Sequence, residues 1–333
     1  MNNSLSIKPT RLQWVDWMKV LGMYFIIVGH TFPTNLCAFV YSFSVPLFFF
    51  LSGLLEKGNY TKKEFTNKCV QTLLIPYILI CLINTTIMFF QDNCIWDFTL
   101  WMKKLLYITL GLHNLFGIRG YGSMWFVYTL IVIKIFFFLC KGNQKKLVIL
   151  SVLGIIGALL FNHIIGKGFG WSTTNAMLSF SFYVTGYMNA MRLKSKRILQ
   201  YMGPVKIVLT ILILGILLFY LSNINGAAFM YLGWYGNYIL LFYLCATLGI
   251  AMTFLLSLLL SPIKKNYIQI IASGNIIILG FHEWLLPLMQ YPTIYGQEVI
   301  DVIKLVYSLI VLIIFIPIIL IVKKICPILI GRR

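Results

Sequence analysis

Three ionisable residues lie within one apolar stretch near the N-terminus. Asp16, Lys19 and His30 belong to the segment RLQWVDWMKVLGMYFIIVGHTFP. On a helix, Lys19 and His30 are three turns apart with an offset of about 20°, and Asp16 projects within about 40° of His30. The rise of a helix places Lys19 roughly 16 Å from His30 along the axis. The spacing therefore predicts one polar stripe along a membrane-buried helix.

The types of these residues indicate transfer chemistry. An ionisable group in hydrocarbon costs on the order of 2–3 kcal/mol or more and usually faces a cavity or the bundle interior. An imidazole can accept a proton from a hydroxyl and pass it on, so His30 is a candidate general base. Lys19 would attract a phosphorylated donor, with Asp16 holding the lysine in place. The alternative is a neutralising Asp16–Lys19 pair with a snorkelling lysine and a structural histidine.

A second polar group lies near the C-terminus, in SGNIIILGFHEWLLP. Asn275 and His282 are seven residues apart and share a helix face, while the neighbouring Glu283 projects about 100° away. The topology below places His282 at a depth similar to that of His30, so we expect one cavity with Glu283 orienting an imidazole. The alternative is a polar cluster that joins helices through hydrogen bonds.

The elements that carry these residues are membrane helices. Apolar residues make up 60% of the 333, and only 11% are charged. We predict an all-α polytopic bundle in a single domain, 1–333, with no appended extracytoplasmic domain. About ten spans are predicted, at 12–33, 36–55, 69–90, 124–140, 147–165, 171–190, 205–222, 238–260, 267–289 and 302–325.

Basic residues give the orientation of this bundle. With the N-terminus in the cytoplasm, twenty lysines and arginines fall in cytoplasmic connections and five in outer ones. This bias places both termini in the cytoplasm. The net charge of +19 is then a topology signal with added contact to anionic lipids, and nucleic acid is not an expected partner. We expect a multi-pass protein of a bacterial inner membrane.

The cysteines and loops indicate little further chemistry. The seven cysteines show no CxxC and no histidine at ligand spacing, so free thiols and no metal are expected. Neither a G-x-S-x-G motif nor another serine nucleophile is apparent. The outer loop 91–123 holds a predicted interfacial helix in DFTLWMKKLLYITLGL. Arg119, Tyr121 and Trp125 follow it and are the predicted acceptor contacts.

The segment VDWMKVLGMYFIIVGHTFP resembles the opening signature of the membrane-bound acyltransferase 3 family, which O-acylates cell-surface carbohydrates. Asp16, Lys19 and His30 match its pattern of an acid, a base and, after ten further residues, a histidine. Most members have arginine at the position of Lys19. In having lysine there, the sequence resembles the branch of the family that is related to fucose 4-O-acetyltransferases.

The resemblance extends along most of the chain. YSFSVPLFFFLSGLLEK, KCVQTLLIPYILI, GSMWFVYTLIVIKI and IASGNIIILGFHEWLLPL are similar to later family segments in the same order. It implies an acyl-CoA donor, most often acetyl-CoA, with Lys68 beside Lys19 at the donor phosphates. It also implies a surface glycan or lipid-linked sugar as acceptor.

The sequence and the resemblance therefore predict an integral membrane O-acyltransferase that moves an acyl group, expected to be acetyl, from cytoplasmic acyl-CoA to a carbohydrate hydroxyl. His30 would activate the hydroxyl or carry the acyl group itself, with His282 and Glu283 beside it and Asn275 contacting substrate. Three alternatives stay open: a transporter or flippase for a glycan or small solute, a scaffold role in polysaccharide synthesis, and succinyl transfer in the same fold. A homo-oligomer is not excluded.

Overall fold

A computed structural model describes residues 11–33, 36–92, 97–112, 122–165, 172–194, 202–288 and 297–331. Within these ranges the chain forms helices and turns and contains no strand. The helices are α1 Gln13–His30, α2 Cys37–Tyr41, α3 Ser44–Leu54, α4 Lys62–Cys69, α5 Ile75–Asp92, α6 Phe98–Thr109, α7 Trp125–Leu139, α8 Gln144–Ile165, α9 Ser172–Lys194, α10 Pro204–Asn225, α11 Ile239–Leu260, α12 Asn266–Ser273, α13 Asn275–Phe281 and α14 Gln297–Ile325. A π-helical turn, Val70–Leu74, joins α4 to α5.

Seven stretches in the described residues are long and apolar enough to cross a membrane. They are Cys37–Leu54, Lys62–Gln91, Gly122–Leu139, Gln144–Phe161, Pro204–Leu232, Ile239–Leu260 and Val299–Ile325. Each overlaps one of the ten predicted spans. The other three predicted spans coincide with α1, α9 and the α12–α13 pair, so a count of ten is not confirmed.

The three remaining helices differ because they are polar or broken. α1 packs against α2, α3, α11, α12, α13 and α14. No residue of α1 is exposed on the surface of the bundle, so neighbouring helices rather than lipid surround its polar groups. α9 packs against α3, α7 and α8 and is mostly buried along its first half, whereas Met188 and Met191 in its second half are exposed. An interior helix can therefore carry polar residues that a lipid-facing helix could not.

Two glycines bring α3 and α9 into backbone contact. A Cβ on Gly53 would lie 1.9 Å from the carbonyl oxygen of Tyr183, and one on Gly186 would lie 2.0 Å from that of Phe50. Small residues permit this close approach between membrane helices. Because α3 also packs against α1, the contact joins α9 to the centre of the bundle.

The predicted span 267–289 is two short helices rather than one. α12 ends at Ser273, Gly274 interrupts the helix, and α13 runs to Phe281 before a 3₁₀ turn over His282–Trp284. A Cβ on Gly274 would lie 2.4 Å from the Ile319 side chain of α14, so the break allows α14 to approach closely. The turn after α13 directs His282 and Glu283 towards the end of α1.

Two smaller expectations are confirmed. The helix predicted in the loop 91–123 is present as α6, with Phe98, Met102 and Leu106 exposed on one side. The six cysteines in the described residues are free thiols. Cys94 lies outside the described residues.

Candidate active site

His30, Ser123 and Glu283 meet at one end of the bundle. The Ser123 hydroxyl donates to Oε1 of Glu283 over 2.7 Å, and Ser123 Oγ lies 3.1 Å from Nε2 of His30. Nδ1 of His30 is 3.8 Å from the same Oε1. A hydroxyl has a single proton, and Ser123 donates it in the hydrogen bond to Glu283. The Ser123 oxygen can then only accept a hydrogen bond from Nε2–H of His30. This network assigns the free lone pair of His30 to Nδ1.

Backbone geometry lets Ser123 approach Glu283 so closely. Ser123 lies in a 3₁₀ turn, Gly122–Met124, just before α7. Gly122 has a φ of +51°, which a glycine adopts with little strain. A Cβ at Gly122 would lie 3.0–3.2 Å from atoms of the Glu283 carboxylate. The glycine therefore provides both the turn and the space for the acid.

His282 completes the cluster from the other side. Its ring lies edge-on to that of His30 with centroids 4.9 Å apart, which confirms the expected proximity of the two histidines. Nδ1 of His282 donates to the carbonyl oxygens of Ile278, at 2.8 Å, and Leu279, at 3.2 Å. Nε2 is then the acceptor nitrogen. It is buried and has no partner among the described residues, a condition that costs about 1–3 kcal/mol.

The chain after His30 is held by a buried lysine. Phe32 has a φ of +48°, an unusual conformation for a bulky residue. Nζ of Lys304 donates to the Phe32 carbonyl oxygen over 2.9 Å, and Lys304 is only 5% exposed. α14 therefore fixes the backbone at the end of α1, next to the candidate base.

The N-terminal end of α1 lines a basic pocket of about 870 Å³. Its lining includes Arg11, Asp16, Lys19 and Lys194. The expected Asp16–Lys19 pair is wrong, because Arg11 takes both oxygens of Asp16, at 2.6 and 3.0 Å. Lys19 has no ion-pair partner among the described residues and lines the pocket directly. Its ammonium is thus available to an anionic ligand.

Lys68 lies elsewhere, in a second pocket of about 580 Å³ that also includes Lys62, Lys141 and Phe65. Its Nζ is 3.4 Å from Oε1 of Glu56 and contacts the Tyr60 hydroxyl. The structure therefore does not bring Lys68 and Lys19 together, as the expectation of one shared donor site required.

Glu56 organises this second pocket. Its carboxylate pairs with Lys134 and accepts from the Tyr183 hydroxyl. Burial opposes ionisation of Glu56, but the Lys134 charge and hydrogen bonds from Lys134, Tyr183 and Tyr60 outweigh it and lower the pKa of Glu56 to about 2. Lys134 is thus held by an acid within the pocket lining.

A third cavity, of about 570 Å³, borders Glu283 of the His30–Ser123–Glu283 network. Its lining includes Asn84, Gln91, Glu283 and Trp284. Asn84 donates to the Gly280 carbonyl oxygen over 2.8 Å and accepts from the Trp284 indole over 3.0 Å. An indole and two amides therefore line the approach to the carboxylate.

The remaining predicted residues fall in three places. Arg119 and Tyr121 lie outside the described residues. Trp125 is the first residue of α7 and is buried in the apolar core, not open to an acceptor as expected. Asn275 begins α13, roughly 10 Å along the helix from His282, and its Oδ1 is buried without a partner in the described part of the chain.

Sequence reasoning missed Ser123 and the amide–indole cavity. Ser123 was not singled out because a serine beside an aromatic turn carries no nucleophile motif. The glycine before it was the available signal, since GSMW places a flexible residue and a hydroxyl at the start of an apolar helix. Asn84 and Trp284 are 200 residues apart, so only the fold brings them together.

Comparison with protein families supports the class of chemistry. Residues 12–323 match the acyltransferase 3 family, which is described as an acyltransferase domain. The match covers nearly the whole chain, and the protein belongs to this family. It is a multi-pass, all-helical membrane protein of an acyltransferase family. Searches among curated proteins and solved structures gave no match.

Proposed function

We propose that the protein is an O-acyltransferase that moves an acyl group, most often acetyl, from cytoplasmic acyl-CoA to a hydroxyl of a surface or lipid-linked carbohydrate. The main support is the His30–Ser123–Glu283 network at the far end of a helix whose basic end lines a pocket. We further propose that the protein lies in a bacterial inner membrane, with both termini in the cytoplasm. Lys19 in place of arginine is the reason to place it near the fucose 4-O-acetyltransferase-like branch.

His30 acts as the general base in this proposal. Nδ1 takes the proton from the acceptor hydroxyl as its oxygen attacks the thioester carbonyl. The C–S bond then breaks, and the imidazolium returns the proton to the departing thiolate. Glu283, 3.8 Å away, stabilises the imidazolium, and Ser123 holds Nε2–H so that Nδ1 stays free. His282 packs against the ring of His30 and limits its motion.

The donor enters at the basic end of α1. Lys19, with Arg11 and Lys194 nearby, attracts the phosphates of acyl-CoA from the cytoplasm. The pantetheine arm is long enough to span the roughly 16 Å from Lys19 to His30. Asn275, whose buried Oδ1 lacks a partner in the described residues, accepts from an amide of that arm. Lys68 in the second pocket is the alternative donor contact.

The acceptor enters by the cavity beside Glu283. Its volume is within the range of small-molecule sites, about 300–1,000 Å³. The Trp284 ring offers a face for sugar C–H groups, and the Gln91 amide can pair with hydroxyls. Arg119 and Tyr121 precede Ser123 closely in sequence and stay candidate acceptor contacts on that ground alone, while Trp125 supports the turn from the apolar core. Transfer would then occur where the two routes meet, at His30.

A transfer assay tests the function. Purified full-length protein is incubated with labelled acetyl-CoA and glycans of the host envelope, and products are separated by mass spectrometry. The wild type and the exposed-residue control His163→Ala should form a base-labile sugar ester together with free CoA. No ester and no CoA release with any glycan, but uptake of a glycan or solute into proteoliposomes, would establish the transporter instead. Ester formed only from succinyl-CoA would change the donor alone.

A further inference from the structure

Three ligand atoms of metal-binding type converge in the cluster. One atom each from His30, His282 and Glu283 lies within 4.8 Å of the others. In tetrahedral zinc sites, bond lengths near 2.0–2.2 Å place ligand atoms about 3.4 Å apart. Side-chain rotations that move each ligand atom by about 1 Å would therefore bring all three within bonding distance of one ion. No metal was expected from the sequence, because these residues show no ligand spacing along the chain.

Unprotonated nitrogens make the arrangement a cation site. Nε2 of His282, a residue with no exposed surface, carries a lone pair with no partner among the described residues. The Ser123 contact leaves a second lone pair on Nδ1 of His30. A carboxylate completes the set. A cation among these three residues, whose ligand atoms lie within 4.8 Å of one another, would be stabilised by two lone pairs and a negative charge.

Outer contacts already orient the ligands as a metal site requires. Nδ1–H of His282 donates to the Ile278 carbonyl oxygen, which directs Nε2 inward. Ser123 holds Glu283 by a hydrogen bond to Oε1. Two imidazoles and one carboxylate suit zinc and similar ions, whereas magnesium and calcium prefer oxygen ligands.

We infer that His30, His282 and Glu283 form a binding site for a divalent transition-metal ion of the zinc class, and that the bound ion blocks acyl transfer by occupying Nδ1 of His30. The binding half stands on the geometry alone. The blocking half rests on the proposed function, because it requires His30 to act as a base. The ion is therefore an inhibitor that competes with the proton for one nitrogen.

Cobalt gives a direct readout of binding, because Co²⁺ absorbs visible light where Zn²⁺ does not. Chelator-treated full-length protein is titrated with Co²⁺, then with Zn²⁺, in the absence of any substrate. The wild type and His163→Ala should develop a visible absorption band that saturates at one equivalent of Co²⁺ and that disappears when Zn²⁺ is added. His282→Ala and Glu283→Gln should weaken Co²⁺ binding at least about tenfold. Glu283 is partly exposed, so Glu283→Gln tests the site even if His282→Ala fails to fold.

The outcomes test metal binding and the block of acyl transfer separately. An absent band, or an equal band in all four proteins, would overturn the site. With the site present, Zn²⁺ should suppress CoA release in the transfer assay and a chelator should restore it. Binding with undiminished transfer would overturn the blocking role only. Absence of transfer with every donor would contradict the proposed function and with it the blocking half, while the cobalt titration would still decide the site.

Discussion

Ser123 contacts His30 from a different helix, with Oγ 3.1 Å from Nε2, although the two residues are 93 positions apart. The same hydroxyl donates to Glu283, so one serine connects the acid to the base. In the proposed mechanism, this arrangement leaves Nδ1 of His30 as the reactive nitrogen. It also makes Ser123 a positioning residue whose loss should change catalysis more than substrate binding.

Ser123→Ala should lower kcat on the order of 10-fold to 100-fold with little change in either KM, because the tautomer of His30 is no longer fixed. The pH profile of kcat should also shift, since Glu283 loses its connection to the imidazole. Steady-state kinetics from pH 5.5 to 9, with Ser123→Thr as the hydroxyl-retaining variant, measure both effects. A normal kcat and pH profile in Ser123→Ala would remove the serine from the mechanism.

Gly122→Ala should destabilise the protein and reduce activity together. The alanine would have to adopt a φ of +51°, which costs about 1–2 kcal/mol, and its Cβ would press on the Glu283 carboxylate. Gly203→Ala is the matched control, because a Cβ there meets nothing within 4 Å and φ is −64°. Thermal unfolding in detergent and CoA release measure the two effects. Equal behaviour of the two variants would contradict the tight fit at Glu283.

Lys19→Gln should raise the KM for acyl-CoA about tenfold, the equivalent of one lost charge-assisted contact, while kcat changes less. Lys19→Arg should retain most affinity. Lys206→Gln, at an exposed position near the start of α10, controls for the loss of one positive charge. If Lys68→Gln raised this KM and Lys19→Gln did not, the donor would occupy the second pocket instead.

Glu56→Gln should destabilise the second pocket. Because the pKa of Glu56 falls from an ordinary 4.5 to about 2, its ionisation contributes stability that is complete above about pH 4.5 and is lost as pH falls towards 2. The loss at pH 7 should be at most about 3 kcal/mol. Unfolding temperatures between pH 3 and 8 should show a gap between wild type and Glu56→Gln that narrows below pH 4.5. A gap independent of pH would contradict the ion pair.

The double variant Glu56→Gln/Lys134→Met provides the control for this experiment. Removing both charges should recover part of the lost stability, because an unpaired buried lysine costs more than a removed pair. Additive losses in the double variant would mean that Glu56 and Lys134 are not coupled.

Trp284→Ala should raise the KM for the glycan acceptor and leave the KM for acyl-CoA unchanged. The indole contributes one wall of the cavity beside Glu283, and stacking on a sugar should be worth about 1 kcal/mol, or about fivefold. Initial rates with each substrate varied in turn measure both constants. An unchanged acceptor KM would place the sugar elsewhere.

Helical periodicity predicted much of this site. It placed His30 at the end of a polar stripe, the predicted topology placed His282 at a similar depth, and the two rings lie 4.9 Å apart. The spans were predictable because lipid-facing helices are uniformly apolar. The exceptions, α1 and α9, pack against several other helices, which relaxes that requirement wherever their polar residues are buried.

Contacts made by irregular backbone could not be predicted in this way. Arg11 precedes α1, so no helical angle gives its direction, and the sequence favoured Lys19 as the partner of Asp16. Ser123 lies in a turn whose course depends on the positive φ of Gly122. Gly274 lies against Ile319 of α14 with no room for a Cβ, a contact between segments that are distant in sequence. In each case tertiary packing decided the geometry.

The most direct test of the central claim is the rate of CoA release by His30→Ala relative to wild type, under saturating acetyl-CoA and glycan, in protein shown by circular dichroism to be folded. The account predicts a loss of at least about 100-fold, with partial recovery on addition of free imidazole. A His30→Ala protein that transfers at the wild-type rate would contradict it.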